Sequence, residues 1–194
     1  MNPGAQESAR ASMDSSKYQI MTRWSTPTVP DFGIDLLYSR GTQHRWMIKC
    51  SHCGEYQELS YKDYDESLPV SDRGNIKCIH QDGVDLFAQQ VTPGSFEFVC
   101  KKCGKNIERD RWYSGQYIAT YPKRFATESY CISSLAAVWI TADSLKMAEM
   151  RSPSKQFFYN YQLAKTFQDL ALSITDNDIL EHRQDNVPKT ITVF

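Results

Sequence analysis

Four of the six cysteines in this 194-residue chain stand in two short pairs. They are Cys50-Ser51-His52-Cys53-Gly54 and Cys100-Lys101-Lys102-Cys103-Gly104. Two residues between thiols let the backbone turn so that both sulfurs face one ion. A glycine directly after the second thiol accepts the positive φ of that tight turn. It also lets backbone N–H groups approach the sulfurs. Two such knuckles supply four thiolates in a tetrahedron, the donor set that suits Zn²⁺. Cys50, Cys53, Cys100 and Cys103 are therefore the expected metal ligands. A closed four-thiolate site leaves no open coordination position, so the zinc is expected to be structural. Redox chemistry of a single C-x-x-C pair, with a reversible Cys50–Cys53 disulfide, is the competing reading. It asks for one pair beside a βαβ unit, and the sequence has two pairs without that pattern. Iron–sulfur ligation is the third.

The spacing between the pairs is long. Residues 54–99 separate them, where common zinc ribbons use about 15–20. Most of the excess is a polar insert over residues 63–94, rich in Asp, Gly and Ser. It is expected to loop out from between two hairpins, because loop-closure entropy grows only logarithmically with length. Cys78-Ile79-His80 in the insert is either an alternative ligand pair or a packed thiol with a surface histidine. Its spacing fits no zinc pattern. Cys131, in Tyr130-Cys131-Ile132, reads as a small buried hydrophobe.

The elements that must hold these thiols can be read around them. Trp46-Met47-Ile48-Lys49 and Phe96-Glu97-Phe98-Val99 lead into the two pairs and read as strands. Upstream, a short helix is expected near residues 5–13. Tyr18-Gln19-Ile20-Met21-Thr22-Arg23-Trp24 alternates loosely and reads as a strand. The prolines of Ser25-Thr26-Pro27-Thr28-Val29-Pro30 end it, and Ile34-Asp35-Leu36-Leu37-Tyr38 reads as a short helix. Residues 113–194 read as mostly helical. Ser152-Pro153 looks like an N-cap with proline at the first helical position. Phe157, Phe158, Tyr161, Ala164 and Phe167 follow at helical spacing, and Thr175-Asp176-Asn177-Asp178 resembles a capping box. The expected class is α+β: zinc-ribbon-like β hairpins flanked by an N-terminal strand/helix segment and a C-terminal helical segment. The expected parts are residues 1–45, 46–112 and 113–194.

Composition narrows the function. With 22 Lys+Arg against 23 Asp+Glu the net charge is -1, so binding nucleic acid by bulk charge is excluded. A local patch remains: Lys101, Lys102, Lys105, Arg109 and Arg111, then Trp112 and Tyr113, with Lys123 and Arg124 beyond. These can meet phosphates or can be a solvated face of the ribbon, and nothing in them spells a base-reading code. No apolar run approaches the roughly 18–20 residues of a membrane span. The polar N-terminus lacks the apolar core of a secretory signal. A soluble intracellular protein is expected. There is no phosphate loop, zinc-protease helix or nucleophile elbow.

The order of these pieces resembles the large terminase subunit of tailed bacteriophages, the DNA-packaging motor, in the branch that carries a zinc-ribbon-like insertion after its ATPase core. The residue 18–28 stretch is similar to the strand and Ser-Thr-Pro-Thr segment that follow the Walker B acids. Pro30-Asp31-Phe32-Gly33-Ile34-Asp35-Leu36-Leu37-Tyr38 resembles the exit from that core. Cys53-Gly54-Glu55-Tyr56-Gln57 is close to the family's wording. Tyr130-Cys131-Ile132-Ser133-Ser134-Leu135-Ala136-Ala137-Val138-Trp139 and Phe157-Phe158-Tyr159-Asn160-Tyr161-Gln162-Leu163-Ala164 resemble its later segments. The likeness runs over roughly residues 1–185. It implies a coupling role for Ser25 and Thr26, double-stranded DNA, a small terminase subunit and a portal as partners, and the host cytoplasm as location. It implies ATP/Mg²⁺ in the full-length family, with the Walker A lysine and Walker B acids before Met1 and the nuclease acids after Phe194. This chain alone is then expected neither to hydrolyse ATP nor to cut DNA. A free-standing zinc-ribbon module that binds nucleic acid or a protein is the alternative.

Overall fold

The computed structural model describes residues 3–109 and 115–167. Its helices are α1 (Pro3–Ala11), α2 (Ile34–Arg40), α3 (Ala142–Arg151) and α4 (Lys155–Gln162). Its strands are β1 (His44–Lys49), β2 (Tyr56–Glu58), β3 (Ile76–Cys78), β4 (Val84–Asp85), β5 (Gln90–Val91), β6 (Phe96–Phe98) and β7 (Gly115–Ala119). The class is α+β. Among the described residues, no helix is long and apolar enough to cross a membrane.

Among the described residues there are three small antiparallel sheets, ordered β2-β1-β7, β3-β6 and β4-β5. The central strand β1 pairs on one side with β2, Ile48 opposite Gln57, and on the other with β7, Trp46 opposite Tyr117. The lead-ins to both cysteine pairs are strands, as their sequences predict. Ile48, Ile76 and Phe98 from the strands, with Leu59 and Ile107 beyond strand ends, meet Leu135, Leu145, Phe158 and Leu163 in one core, which also encloses Cys50 and Cys100. The sulfur sites are thus built into the main hydrophobic contact between sheets and C-terminal helices.

The insert is more ordered than its composition suggests. Instead of a simple excursion, it supplies β3, which pairs with the strand leading into the second cysteine pair, Cys78 opposite Phe96. Tyr64 N–H and Ile76 N–H bond the carbonyls of Ile76 and Lys62. Asp143 at the start of α3 then accepts from the N–H groups of Gly94 and Phe96, both at 2.7 Å. Backbone groups near a core must find partners, and here the insert finds them on both sides.

Several expectations need correction. Residues 18–24 form no strand; Tyr18, Ile20 and Trp24 are 73%, 76% and 78% exposed. An extended segment becomes a strand only when a neighbour takes its ladder bonds, and no described strand does so. Residues 115–119 are β7, and among the described residues beyond them α-helix begins at Ala142, after one 3₁₀ turn at Ser134–Ala136. Ser152 caps the end of α3, its hydroxyl donating to Ala148 O at 2.7 Å. Ser154 is the N-cap of α4, accepting from Phe157 N–H at 3.1 Å. That helix stops at Gln162, so Ala164 and Phe167 lie past its end. Of the aromatic stripe, Phe158 enters the core, while Phe157 and Tyr161 stack on each other outside it. Cys78 is exposed rather than packed. Arg111, Trp112, Tyr113 and residues 175–178 lie outside the described residues.

Candidate metal centre

Each cysteine pair sits in the turn of a hairpin, and the two turns are built alike. In the first, Cys50 N–H bonds Glu55 O and Gly54 N–H bonds Cys50 O, both at 2.9 Å. In the second, Cys100 N–H bonds Lys105 O and Gly104 N–H bonds Cys100 O, again both at 2.9 Å. Gly54 and Gly104 have φ of 74° and 66°, the left-handed region that penalises any side chain. β1 and β2 flank the first turn; β6 and the Val99–Asn106 bridge flank the second.

The hairpins face each other, so all four sulfurs lie within 4.8 Å of one another. Cys50 Sγ is 3.8 Å from Cys103 Sγ, and Cys53 Sγ is 3.6 Å from Cys100 Sγ. A tetrahedral zinc with bonds of about 2.3 Å has sulfur–sulfur edges of about 3.8 Å. The donor set therefore fits such an ion in both chemistry and size. Cys50 and Cys100 are buried, Cys103 is half-buried and Cys53 is exposed.

The clustered thiols do not titrate alike. Burial alone would raise the Cys100 thiol. The N–H of Cys103, the Gln57 amide and the N–H of Lys102 outweigh that burial and bring it down to about 7. The Glu55 N–H favours the Cys53 thiolate, but desolvation and three adjacent sulfurs push that thiol up to about 12. Four thiolates this close repel one another, so without a metal some of them keep their protons.

Two residues that carry no motif of their own complete the centre. Gln57 is 6% exposed, and its Nε2 donates to Cys100 Sγ at 3.0 Å. Its Oε1 accepts from Asn75 Nδ2 at 2.9 Å and Lys101 N–H at 3.0 Å. Asn75, fully buried, also donates to Val99 O and accepts from Ser60 N–H, both at 2.8 Å. Neither amide was among the residues expected from the sequence, although a signal was available for Gln57. In Gln57-Glu58-Leu59-Ser60-Tyr61 every second residue is buried, which places a polar amide in the inward series.

The family model described as phage terminase large subunit gpA, ATPase domain, matches residues 8–119, more than half of the chain. The chain belongs to the phage terminase large subunit family. That family serves DNA packaging. The matched span includes all four clustered cysteines and Gln57 and Asn75. No curated protein and no solved structure matches the chain.

The other residues singled out in this terminase chain are not brought together into one surface. Lys102 is exposed and pairs with Glu55, Nζ to Oε2 at 2.9 Å. Lys105 is exposed and Lys101 half-buried. Arg109 faces inward, 8% exposed. Its guanidinium donates to the carbonyls of Ile140, Leu135 and Ala137 at 3.0, 2.6 and 2.7 Å, and it lies over the Phe98 ring. Burial lowers its pKa to about 10, so it stays a cation at neutral pH. It ties the second hairpin to the segment before α3 and is withdrawn from the exposed basic residues. Arg124 covers Tyr121 and donates to Ser39 O at 2.7 Å. Ser25 and Thr26 lie far along the sequence from the cysteines, beside the wide cleft between residues 10–27 and 126–132; Ser25 and Pro27 line that cleft.

Proposed function

We propose that this chain is a zinc-stapled part of the packaging motor, acting on viral DNA in the host cytoplasm. Zn²⁺ held by Cys50, Cys53, Cys100 and Cys103 locks two hairpins together and, through their shared core, fixes the C-terminal helices against them. The observation that carries this is the four-sulfur cluster lying inside the span matched by the terminase family. The role is structural, because four thiolates leave no position for a substrate or water.

Lys102 and Lys105, both exposed on the second hairpin, and the half-buried Lys101 are the proposed phosphate contacts. Ser25 and Thr26 are proposed to couple nucleotide hydrolysis to movement in the complete motor, which would use ATP/Mg²⁺ and engage a small subunit and a portal. In this reading residues 1–45 belong to the ATPase side, 46–112 to the zinc module and 113–194 to a connector.

Metal analysis of protein purified under reducing conditions tests the central statement. One zinc per chain is expected, and its absence overturns the reading. For the DNA contact, joint replacement of Lys101, Lys102 and Lys105 by alanine should weaken binding and flatten its salt dependence, by a slope of about 0.9 for each phosphate no longer neutralised. An unaltered slope removes DNA contact from the proposal.

A further inference from the structure

We propose that Gln57 is a positioning residue for the metal centre: it fixes the Cys100 sulfur toward the ion and, through Asn75, makes the insert report on metal occupancy. This rests on the reading that the four cysteines hold a metal. The hydrogen-bond directions follow from backbone groups that have only one role. Lys101 N–H can only donate, so the Gln57 atom facing it at 3.0 Å is Oε1, and Nε2 must face the sulfur. Ser60 N–H can only donate and Val99 O can only accept, which orients the Asn75 amide in the same way. The relay therefore has one polarity from Ser60 to Cys100.

The relay is also asymmetric and dry. Cys100 has no exposed surface and Asn75 none either, so water does not replace these bonds. Among the described residues, no side-chain amide meets Cys50, Cys53 or Cys103. Gln57 comes from the first hairpin and Cys100 from the second, so the contact spans the two halves that the metal joins. An N–H donor to a bound thiolate draws off part of its charge and holds its lone pairs in place, the task that outer partners perform at metal sites. Asn75 extends this hold to Ser60 and Val99, which flank the insert on its two sides. Metal binding and docking of the insert are then one event.

Cobalt(II) added to the reduced full chain is the probe, read by its thiolate charge-transfer band and by competition with a chelating dye. Gln57→Glu keeps an acceptor for Asn75 and Lys101 and replaces the sulfur-facing donor by an acceptor. It should weaken cobalt binding about 10–100-fold and move the band to longer wavelength, a shift that a purely packing role would not give. Asn75→Asp should weaken binding less, although Asn75 touches no sulfur. In the unaltered protein, stripping the metal should speed amide exchange at Ser60 at least about tenfold, which needs no variant to fold. Affinity within twofold of the parent and an unmoved band for Gln57→Glu, or unchanged Ser60 exchange, overturn this inference while leaving the metal reading intact. Failure of the parent chain to take up cobalt overturns both.

Discussion

The two cysteine hairpins share a backbone design and differ in where the chain runs after each turn. After the first, β2 sends Gln57 inward to the sulfur of the other hairpin. After the second, the chain sends Arg109 inward to three carbonyls of the segment leading to α3. One exit completes the sulfur cluster and the other anchors it to the helices. The turns differ in crowding as well. An added Cβ at Gly54 would come no nearer than 4.0 Å, to Lys49 Cε, whereas at Gly104 it would lie 2.7 Å from Tyr64 Oη. Similar local sequence therefore carries unequal structural weight, because the turn of the second hairpin lies against Tyr64 of the insert and the turn of the first lies open.

The largest difference is expected at the thiols. Cys100→Ser should abolish zinc binding and lower stability by an amount comparable with that of a whole domain, about 5–15 kcal/mol. Cys53→Ser should cost clearly less, since Cys53 is exposed and holds no buried amide; equal losses in calorimetry would erase this contrast. Next comes Arg109→Met. It leaves three inward carbonyls without their donor and should cost about 2–4 kcal/mol in urea unfolding. The salt dependence of DNA binding should stay as it was. A flattened slope would return Arg109 to the phosphate contacts.

Gly104→Ala should cost about 2 kcal/mol and Gly54→Ala about 1 kcal/mol, since both lose the positive-φ residue but only Gly104 also displaces Tyr64. Thermal melts showing the reverse order would mean that Tyr64 moves aside freely. The smallest effect belongs to the exposed Lys102–Glu55 pair. Lys102→Ala should change stability by less than about 1 kcal/mol while reducing the DNA salt slope. A larger stability loss would show that this surface pair helps to close the first turn.

The four-cysteine cluster was legible because its information is local. Thiol spacing and a following glycine specify a turn whatever surrounds it, and the positive φ of Gly54 and Gly104 meets that demand. The strands leading into the turns were legible for the same reason. Gln57 and Asn75 were harder, because their roles depend on a partner 43 residues away for Gln57 and 18 residues between the two amides. Only the inward alternation of residues 57–61 hinted at the first. Arg109 was misjudged because a basic residue beside lysines suggests a solvated face. Its burial follows from the carbonyls of residues 135–140, which arrive from another part of the chain. Residues 18–24 carry a strand pattern without a strand, since pattern selects a face but cannot supply a ladder partner. Composition and short spacing thus settle the donor set and the α+β class. Which amide meets which sulfur, and which cation turns inward, depends on long-range packing, where desolvation makes each buried polar group take whatever partner the assembled fold brings to it.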